Sequence, residues 1–209
     1  MPRLHVALAL AAVAFLLTPS AHAAVAGTVT KLQGDAARVA DGKRNSLDVG
    51  EALSVGDVIE TGAKSRLLIK LVDGSELTLG ENARATLDAL KIDKVASSGE
   101  EKISVEQGAF LFQGGSIEKM KQRDVAVRTP VATMGIRGTK FWGGQQGDRY
   151  GVLTFSGKVE VKGKDGSAVL LTAGKGTWFG PGATTPKKPD AWTKQETSGA
   201  VESITFSPK

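Results

Sequence analysis

Residues 125–141 read VAVRTPVATMGIRGTKF, and we interpret the rest of the chain outward from this stretch. It opens with alternating residues that suit a β-strand. This strand should end, or lie at a sheet edge, at Thr129 and Pro130, because proline fixes φ and has no N–H to donate to a neighbouring strand. An extended segment is expected to resume at Thr139.

Between those two segments the sequence predicts a tight corner. Gly135 and Gly138 enclose Ile136 and Arg137, and glycine is the residue that most readily adopts backbone conformations that other residues resist. The corner therefore carries a single arginine. We interpret Thr129, Pro130, Gly135, Gly138 and Thr139 as the residues that shape it.

The surrounding sequence predicts an all-β fold with little helix. Short alternating segments are separated by glycines, and three Asp-Gly pairs, at 41–42, 73–74 and 165–166, lie between apolar segments. Asp-Gly in this setting is typical of tight hairpin turns in which both residues have positive φ. A pattern of strand, polar turn, strand and glycine occurs at 34–51 and again at 157–175. We therefore expect a twisted β-solenoid-like or sandwich assembly of short strands and hairpins.

Residues 1–23 have the pattern of a secretory signal peptide. Arg3 supplies the positive start, an apolar run follows, and Ala21 and Ala23 give the small-x-small cleavage site. The apolar run is shorter than the ~20 residues that a spanning helix needs, so no transmembrane segment is expected after cleavage. These features predict a periplasmic or secreted protein.

The domain boundaries follow from changes in composition. Residues 24–183 are predicted to form one β domain, and residues 184–209 to form a polar C-terminal linker and tail. The linker contains the stiff, charged run Pro-Lys-Lys-Pro at 186–189, and the tail is expected to be loosely attached. The alternation of Ile204 and Phe206 leaves a final edge strand as the alternative.

Composition excludes several kinds of chemistry. The chain has no cysteine, and its two histidines, His5 and His22, both lie in the predicted signal peptide. Disulfides, zinc sites with Cys or His ligands, and nucleophiles activated by histidine are therefore excluded from the mature chain. No EF-hand spacing occurs, so we predict no metal and no cofactor.

Carboxylates remain as candidates for acid–base catalysis, but nothing in the sequence pairs them across a cleft. We therefore predict that the chain is not an enzyme. The net charge of +5 is modest, and an exported chain without a basic cluster interleaved with aromatics is not expected to bind nucleic acid. The carboxylates considered for a catalytic pair are Asp73, Glu76, Asp148 and Glu160.

The central stretch also resembles the signature of the FecR domain. Thr-Pro-x-Ala at 129–132 and Arg-Gly-Thr-x-Phe at 137–141 match that signature, and motifs at 55–62, 71–79 and 105–108 follow in the family's order. The resemblance covers 55–161. It implies a periplasmic module that receives a signal from an outer-membrane receptor and passes it inward to a sigma factor. Inward signalling requires an anti-sigma segment and a membrane helix, and here a signal peptide stands in their place, so we do not transfer that activity.

Arg137 has two interpretations. Its guanidinium could bind a carboxylate or phosphate of a partner at the surface. The interpretation that we favour is structural: Arg137 turns inward and joins neighbouring strands through backbone carbonyls or through Asp57 or Asp124, because a buried charge needs partners and arginine offers five donors.

Aromatic residues form the second candidate binding site. Trp142, Tyr150 and Trp178, with Phe141 and Phe179, could make a platform for a sugar or a peptide, or could pack in the core. Phe141 and Trp142 are adjacent in a strand and point to opposite faces. At least one of them could therefore be exposed.

These observations predict an exported, non-catalytic FecR-like module that recognises another cell-envelope protein, as a scaffold or in signal sensing. Addition of a strand to an exposed sheet edge would be one way to do so. The alternative is a module that binds cell-wall polysaccharide through Trp142 or Trp178. The oligomeric state is not predicted.

Overall fold

The computed structural model describes residues 24–207, and the predicted signal peptide lies outside the described residues. These residues contain sixteen strands, a 3₁₀ helix at Ile117–Lys119 and one α-helix, α1, at Lys194–Ile204. The strands are β1 (Val25–Gln33), β2 (Ala36–Ala40), β3 (Lys43–Ser46), β4 (Ala52–Ser54), β5 (Val58–Thr61), β6 (Arg66–Leu71), β7 (Glu76–Leu79), β8 (Arg84–Asp93), β9 (Ser98–Gln107), β10 (Phe110–Gln113), β11 (Gln122–Arg128), β12 (Ala132–Gln146), β13 (Arg149–Gly163), β14 (Ala168–Thr172), β15 (Lys175–Phe179) and β16 (Asp190–Ala191).

All strands belong to one sheet that winds around a core. The order is β3-β2-β5-β8-β9-β11-β12-β10-β7-β6-β1-β4, and β13 branches from β12 to pair with β14 and β15. One continuous cluster of buried apolar side chains draws on strands from β1 to β15. The prediction of an all-β fold with little helix is therefore confirmed. Among residues 24–207, no helix has the length and apolar character needed to cross a membrane.

The three Asp-Gly turns join adjacent strands, but only one has the predicted backbone. Asp41 and Gly42 both have positive φ, at 50° and 72°. In the other two turns only the glycines, Gly74 and Gly166, are positive. In each of these the aspartate carboxylate accepts the backbone N–H two residues later, at 2.9 and 3.1 Å. This local hydrogen bond favours a turn in which the aspartate keeps a negative φ.

The turn between β11 and β12 follows the residues that the sequence pointed to. β11 ends at Arg128, and Pro130 lies in the connection before β12. The Thr129 hydroxyl accepts the Ala132 N–H at 3.2 Å, and the Thr129 N–H donates to the Ala132 carbonyl at 2.8 Å. These two contacts close the turn around Pro130 without requiring a backbone N–H at that position.

The predicted corner at Gly135 is wrong, because β12 continues through it without interruption. The irregularity lies further on, where the register of β12 against β13 shifts between Arg137 and Lys140. Gly138 has a φ of 64°, a conformation that glycine adopts without a steric cost. This arrangement is a β-bulge, which bends the strand without ending it.

The C-terminal segment packs on the sheet as α1, where we expected a loose tail or an edge strand. A capping box begins the helix: the Thr193 hydroxyl accepts the Glu196 N–H, and the Glu196 carboxylate accepts the Thr193 N–H. The apolar side of α1 places Ala200 and Ile204 against Trp142 on β12. The helix therefore covers a second, smaller core on the outer face of the sheet.

Trp192 connects the sheet to the segment that leads into α1. Its ring stacks on Trp178 at 4.1 Å with an interplanar angle of 8°, and meets the edge of Trp142 at 5.7 Å. Two glycines make room for the ring: a Cβ at Gly176 would lie 2.3 Å from the Trp192 Nε1, and a Cβ at Gly151 would lie 2.6 Å from its Cη2. These glycines are therefore required by close packing.

We expect Trp192→Ala to release α1 from the sheet, because the substitution removes the stack that joins them. The free energy of unfolding should fall by about 2 kcal/mol. Urea denaturation measures this loss, and limited proteolysis should show new cleavage after residue 190. The control is Val201→Ala, at an exposed position of α1, which should change neither result. Equal protease resistance of the Trp192 variant and the parent would contradict the role that we assign to this ring.

Candidate functional site: a fork between two strands

The sheet divides where β11 and β12 part. The two strands pair only as far as Ala126 and Gly135. Beyond this point β11 continues toward Gln122 in parallel pairing with β9, while β12 continues to Arg137 against β13. Within residues 24–207 no strand pairs with the two diverging edges in between. We call this gap the fork.

A groove of about 640 Å³ lies at the fork. Val125 and Ile136, each 5 % exposed, and Leu170, which is 57 % exposed, give it apolar surface. Gly135 adds to the hollow, because a Cβ there would have no neighbour closer than the Glu160 Oε2 at 3.8 Å. Its φ lies outside the left-handed region, so the backbone does not require glycine at this position. The groove therefore has an apolar floor and room for an incoming chain.

The rim of the groove carries more positive than negative charge. Two carboxylates lie there, and one of them, Asp124, pairs with Lys102. The other, Glu160, belongs to no ion pair within residues 24–207. The electrostatic potential of the groove therefore favours an anionic ligand. The basic residues of the rim are Lys121, Arg123, Arg137 and Lys158.

Arg137 lies on this rim and is exposed, so the inward structural role that we favoured is wrong. The carboxylates proposed as its partners are engaged elsewhere: Asp57 pairs with Arg38 at 3.1 Å, and Asp124 pairs with Lys102. No ion pair formed within residues 24–207 includes Arg137. Its side chain belongs to the outer face of the sheet, opposite the core, and is available for a partner.

The backbone beside Arg137 is held from inside the fold. The Thr139 N–H donates to the Glu118 Oε2 at 3.0 Å. The Thr139 hydroxyl accepts the Arg137 N–H at 3.2 Å and donates to the Lys158 carbonyl at 3.0 Å. Thr139 is 4 % exposed, so these bonds are shielded from water. The bulge therefore fixes the backbone from which the exposed arginine projects.

Glu118 is one of three carboxylates that lie close together beneath the bulge. The Ser75 hydroxyl donates to the Glu101 Oε1 at 2.7 Å, and the Asp73 Oδ2 accepts the Ile117 N–H at 3.3 Å. The Glu101 Oε2 and the Glu118 Oε1 are buried without a hydrogen-bond partner among residues 24–207. Within the same residues no such group has an arrangement suited to a metal ion.

Burial raises the pKa of two of these carboxylates. Desolvation, with a smaller contribution from the charge of Asp73, raises the pKa of Glu101 to about 8, although the hydrogen bond from Ser75 opposes the shift. Desolvation also raises the pKa of Glu118, against the hydrogen bonds from the Thr139 and Gly138 amides. Glu101 is therefore mostly protonated at neutral pH, which lowers the cost of burying it.

Glu101 and Glu118 were not among our candidates. One signal for Glu101 was available, because it shares the strand periodicity of Ile103 and Val105 and must face the same side. The carboxylates that we did consider do not form a pair. Asp73 belongs to the buried cluster, and Asp148 is exposed in the turn after β12.

The aromatic residues do not form an open platform. Trp142 is fully buried, and its Nε1 donates to the Ser203 hydroxyl of α1 at 2.9 Å. Trp178 is 9 % exposed: Arg149 covers one face of its ring at 4.2 Å, and Trp192 stacks on the other. Burial also raises the pKa of Tyr150. The expectation that one of these rings offers a stacking surface is therefore corrected, because α1 covers Trp142, and Arg149 and Trp192 cover Trp178.

The fold and the groove define an all-β module with an exposed basic fork. Residues 57–160 match the family model described as FecR protein, and the chain belongs to this family. The match includes the bulge, the fork and the buried carboxylates. FecR proteins are regulatory modules.

Solved structures show the same fold. Two crystal structures of a protein of Parabacteroides distasonis ATCC 8503, described as a "putative anti-sigma factor", superpose with TM-scores of 0.53 and 0.52 at 17% identity. Each superposition covers 68% of this chain and 62% of that protein, so the chain spans less than two thirds of the length of these relatives. No curated protein matches the chain.

The raised pKa of Glu101 predicts that stability falls as the pH rises from about 4.5 to about 8. The usual pKa of the carboxyl is 4.5, so the folded chain holds this proton more tightly than the unfolded chain. The stabilisation is complete below pH 4.5 and is lost as pH rises through about 8. The shift is about 3.5 pKa units, so at about 1.4 kcal/mol for each unit the full loss is on the order of 5 kcal/mol.

Glu101→Gln should remove most of this pH dependence, because the amide resembles the protonated acid. Urea denaturation at pH 6 and pH 9 measures it. The matched control is Glu106→Gln, at an exposed position of the same strand, which should keep the parent's loss of stability between pH 6 and pH 9. If both variants lose stability over this range as the parent does, Glu101 is not the group responsible.

Proposed function

We propose that this chain is an exported, non-catalytic FecR module that recognises another protein of the cell envelope, in signal sensing or as a scaffold. The observation that carries the proposal is the fork. There the arginine of the Arg-Gly-Thr motif stands exposed beside two strand edges that have no strand partner among the described residues. Free strand edges bind extended peptide backbone, which is a common way for proteins to recognise one another.

Regulation is the class of function that family membership supports. The description of the structural relatives as anti-sigma factors agrees with a regulatory role, and we propose for this chain the recognition part of that role. A polysaccharide-binding module has less support, since the aromatic rings on which that alternative rested are covered. The basic groove would still attract an anionic polymer, and the experiments below separate the two.

Export is part of this proposal, and it predicts a mature N-terminus at Ala24. Cells that express the full chain should hold the processed form in the periplasmic or secreted fraction, where intact mass measurement detects the loss of residues 1–23. Ala23→Tyr should block processing, because the cleavage site needs a small residue, while Val6→Leu, in the apolar run, should not. An unprocessed parent chain in the cytoplasm would contradict export.

Crosslinking tests the partner. A photoreactive amino acid replaces Lys158, an exposed residue of the groove, in cells that express the full chain. We expect one envelope protein, identified by mass spectrometry, in the crosslinked product. The control position is Lys43, exposed on β3 at one end of the strand order, where this product should be absent. The same products at both positions, or glycan at Lys158 alone, would refute recognition of a protein at the fork.

A further inference from the structure

We propose that the fork takes up an extended, acidic segment of the partner protein in which apolar residues alternate with Asp or Glu. This inference rests on the proposed function, since it names the chemistry of the partner at the same site. It follows from three features of the fork: its open backbone edges, the opposite character of its floor and rim, and the empty space above Gly135.

The backbone edges favour a peptide over other polymers. Past Ala126 and Gly135, the edges of β11 and β12 that face each other have no strand partner within residues 24–207. On β12 this open stretch ends before Gly138, because Glu118 accepts the Gly138 and Thr139 amides and the Thr139 carbonyl accepts the Gly114 N–H. Their other edges remain paired with β9 and β13, which fixes both sides of the gap in an extended conformation. Backbone N–H and C=O groups on such edges match the groups of another extended chain. A glycan or a polyphosphate has no repeating amide to match them.

The floor and the rim select alternating side chains. Successive residues of an extended segment point to opposite sides. One set would meet Val125 and Ile136 at the floor, where apolar surface favours apolar partners. The other set would point outward, between Arg123 on one edge and Arg137 and Lys158 on the other. Carboxylates in the outward positions would form charge-assisted hydrogen bonds with these groups.

Gly135 supplies the space that an incoming chain needs. A Cβ at this position would meet nothing closer than 3.8 Å, and the backbone there is an ordinary strand conformation. A valine would therefore fit the fold, since β-branched residues suit strands, but would occupy the hollow. Gly135→Val thus separates binding from folding. Glu160 provides a second test, because this carboxylate of the groove would repel an acidic segment. Removing its charge should therefore strengthen binding, whereas the other substitutions should weaken it.

The experiment measures the affinity of a fluorescent octapeptide of alternating Glu and Val by anisotropy, with protein purified from cells that express the full chain. We expect the parent to bind this peptide at low salt and to bind the Lys-Val counterpart at least about tenfold more weakly. Arg137→Glu combined with Lys158→Glu should weaken Glu-Val binding about tenfold. Glu160→Gln should strengthen it about twofold. Gly135→Val should abolish it while the thermal midpoint stays unchanged or rises.

The matched control combines Lys43→Glu with Lys188→Glu, which makes the same change of net charge at two exposed positions outside the groove. Equal weakening by the two double variants would overturn the inference in favour of general charge attraction. Polyphosphate binding as strong as that of the Glu-Val peptide, and insensitive to Gly135→Val, would overturn it in favour of an anionic polymer. If the peptide does not bind but a protein is crosslinked at Lys158, the inference that the partner binds through an acidic segment is overturned, and the proposed function stands.

Discussion

The hydrogen bond from the Thr139 N–H to the Glu118 carboxylate holds the irregular part of β12 against the interior. A bulge leaves backbone groups without ladder partners, and a buried N–H without an acceptor costs about as much as a lost hydrogen bond. Glu118 supplies that acceptor from the 3₁₀ helix that follows β10. Gly114 packs against the same carboxylate, where a Cβ would lie 1.8 Å from its Oε1. The bulge therefore depends on residues more than twenty positions away in sequence.

The buried carboxylates and the exposed fork are two sides of one arrangement. Glu101, Glu118 and Asp73 lie on the inner side of the bulge, and Arg137 projects on the outer side. Burying carboxyl groups costs stability unless they are protonated or hydrogen-bonded. Here the raised pKa keeps Glu101 mostly protonated, and backbone amides donate to Glu118 and Asp73. The same bonds limit the backbone conformations available to Arg137, so less entropy is lost when its side chain binds a partner.

Local features of the fold could be predicted from the sequence, whereas features that depend on distant residues could not. The end of β11 at Thr129 and Pro130 follows from proline itself. The exposure of Arg137 had no local signal, and neither did the pairing of Asp57 with Arg38 and of Asp124 with Lys102, which engages the carboxylates expected to hold it. The capping box that begins α1 was visible at 193–196, but the burial of Trp142 beneath that helix requires the tertiary fold. The fork arises from a choice of strand partners, which alternation of side chains does not encode.

The Arg-Gly-Thr motif combines two physical tasks in consecutive residues. Gly138 permits the positive φ of the bulge, and Thr139 satisfies the backbone on both sides of it through its amide and hydroxyl. Arg137 takes no part in an ion pair within the described residues and faces the groove. A bulge interrupts strand pairing and redirects a side chain, which are the two conditions for a recognition site within a continuous sheet. Gly138 and Thr139 therefore maintain the bulge, and the bulge positions Arg137 at the groove.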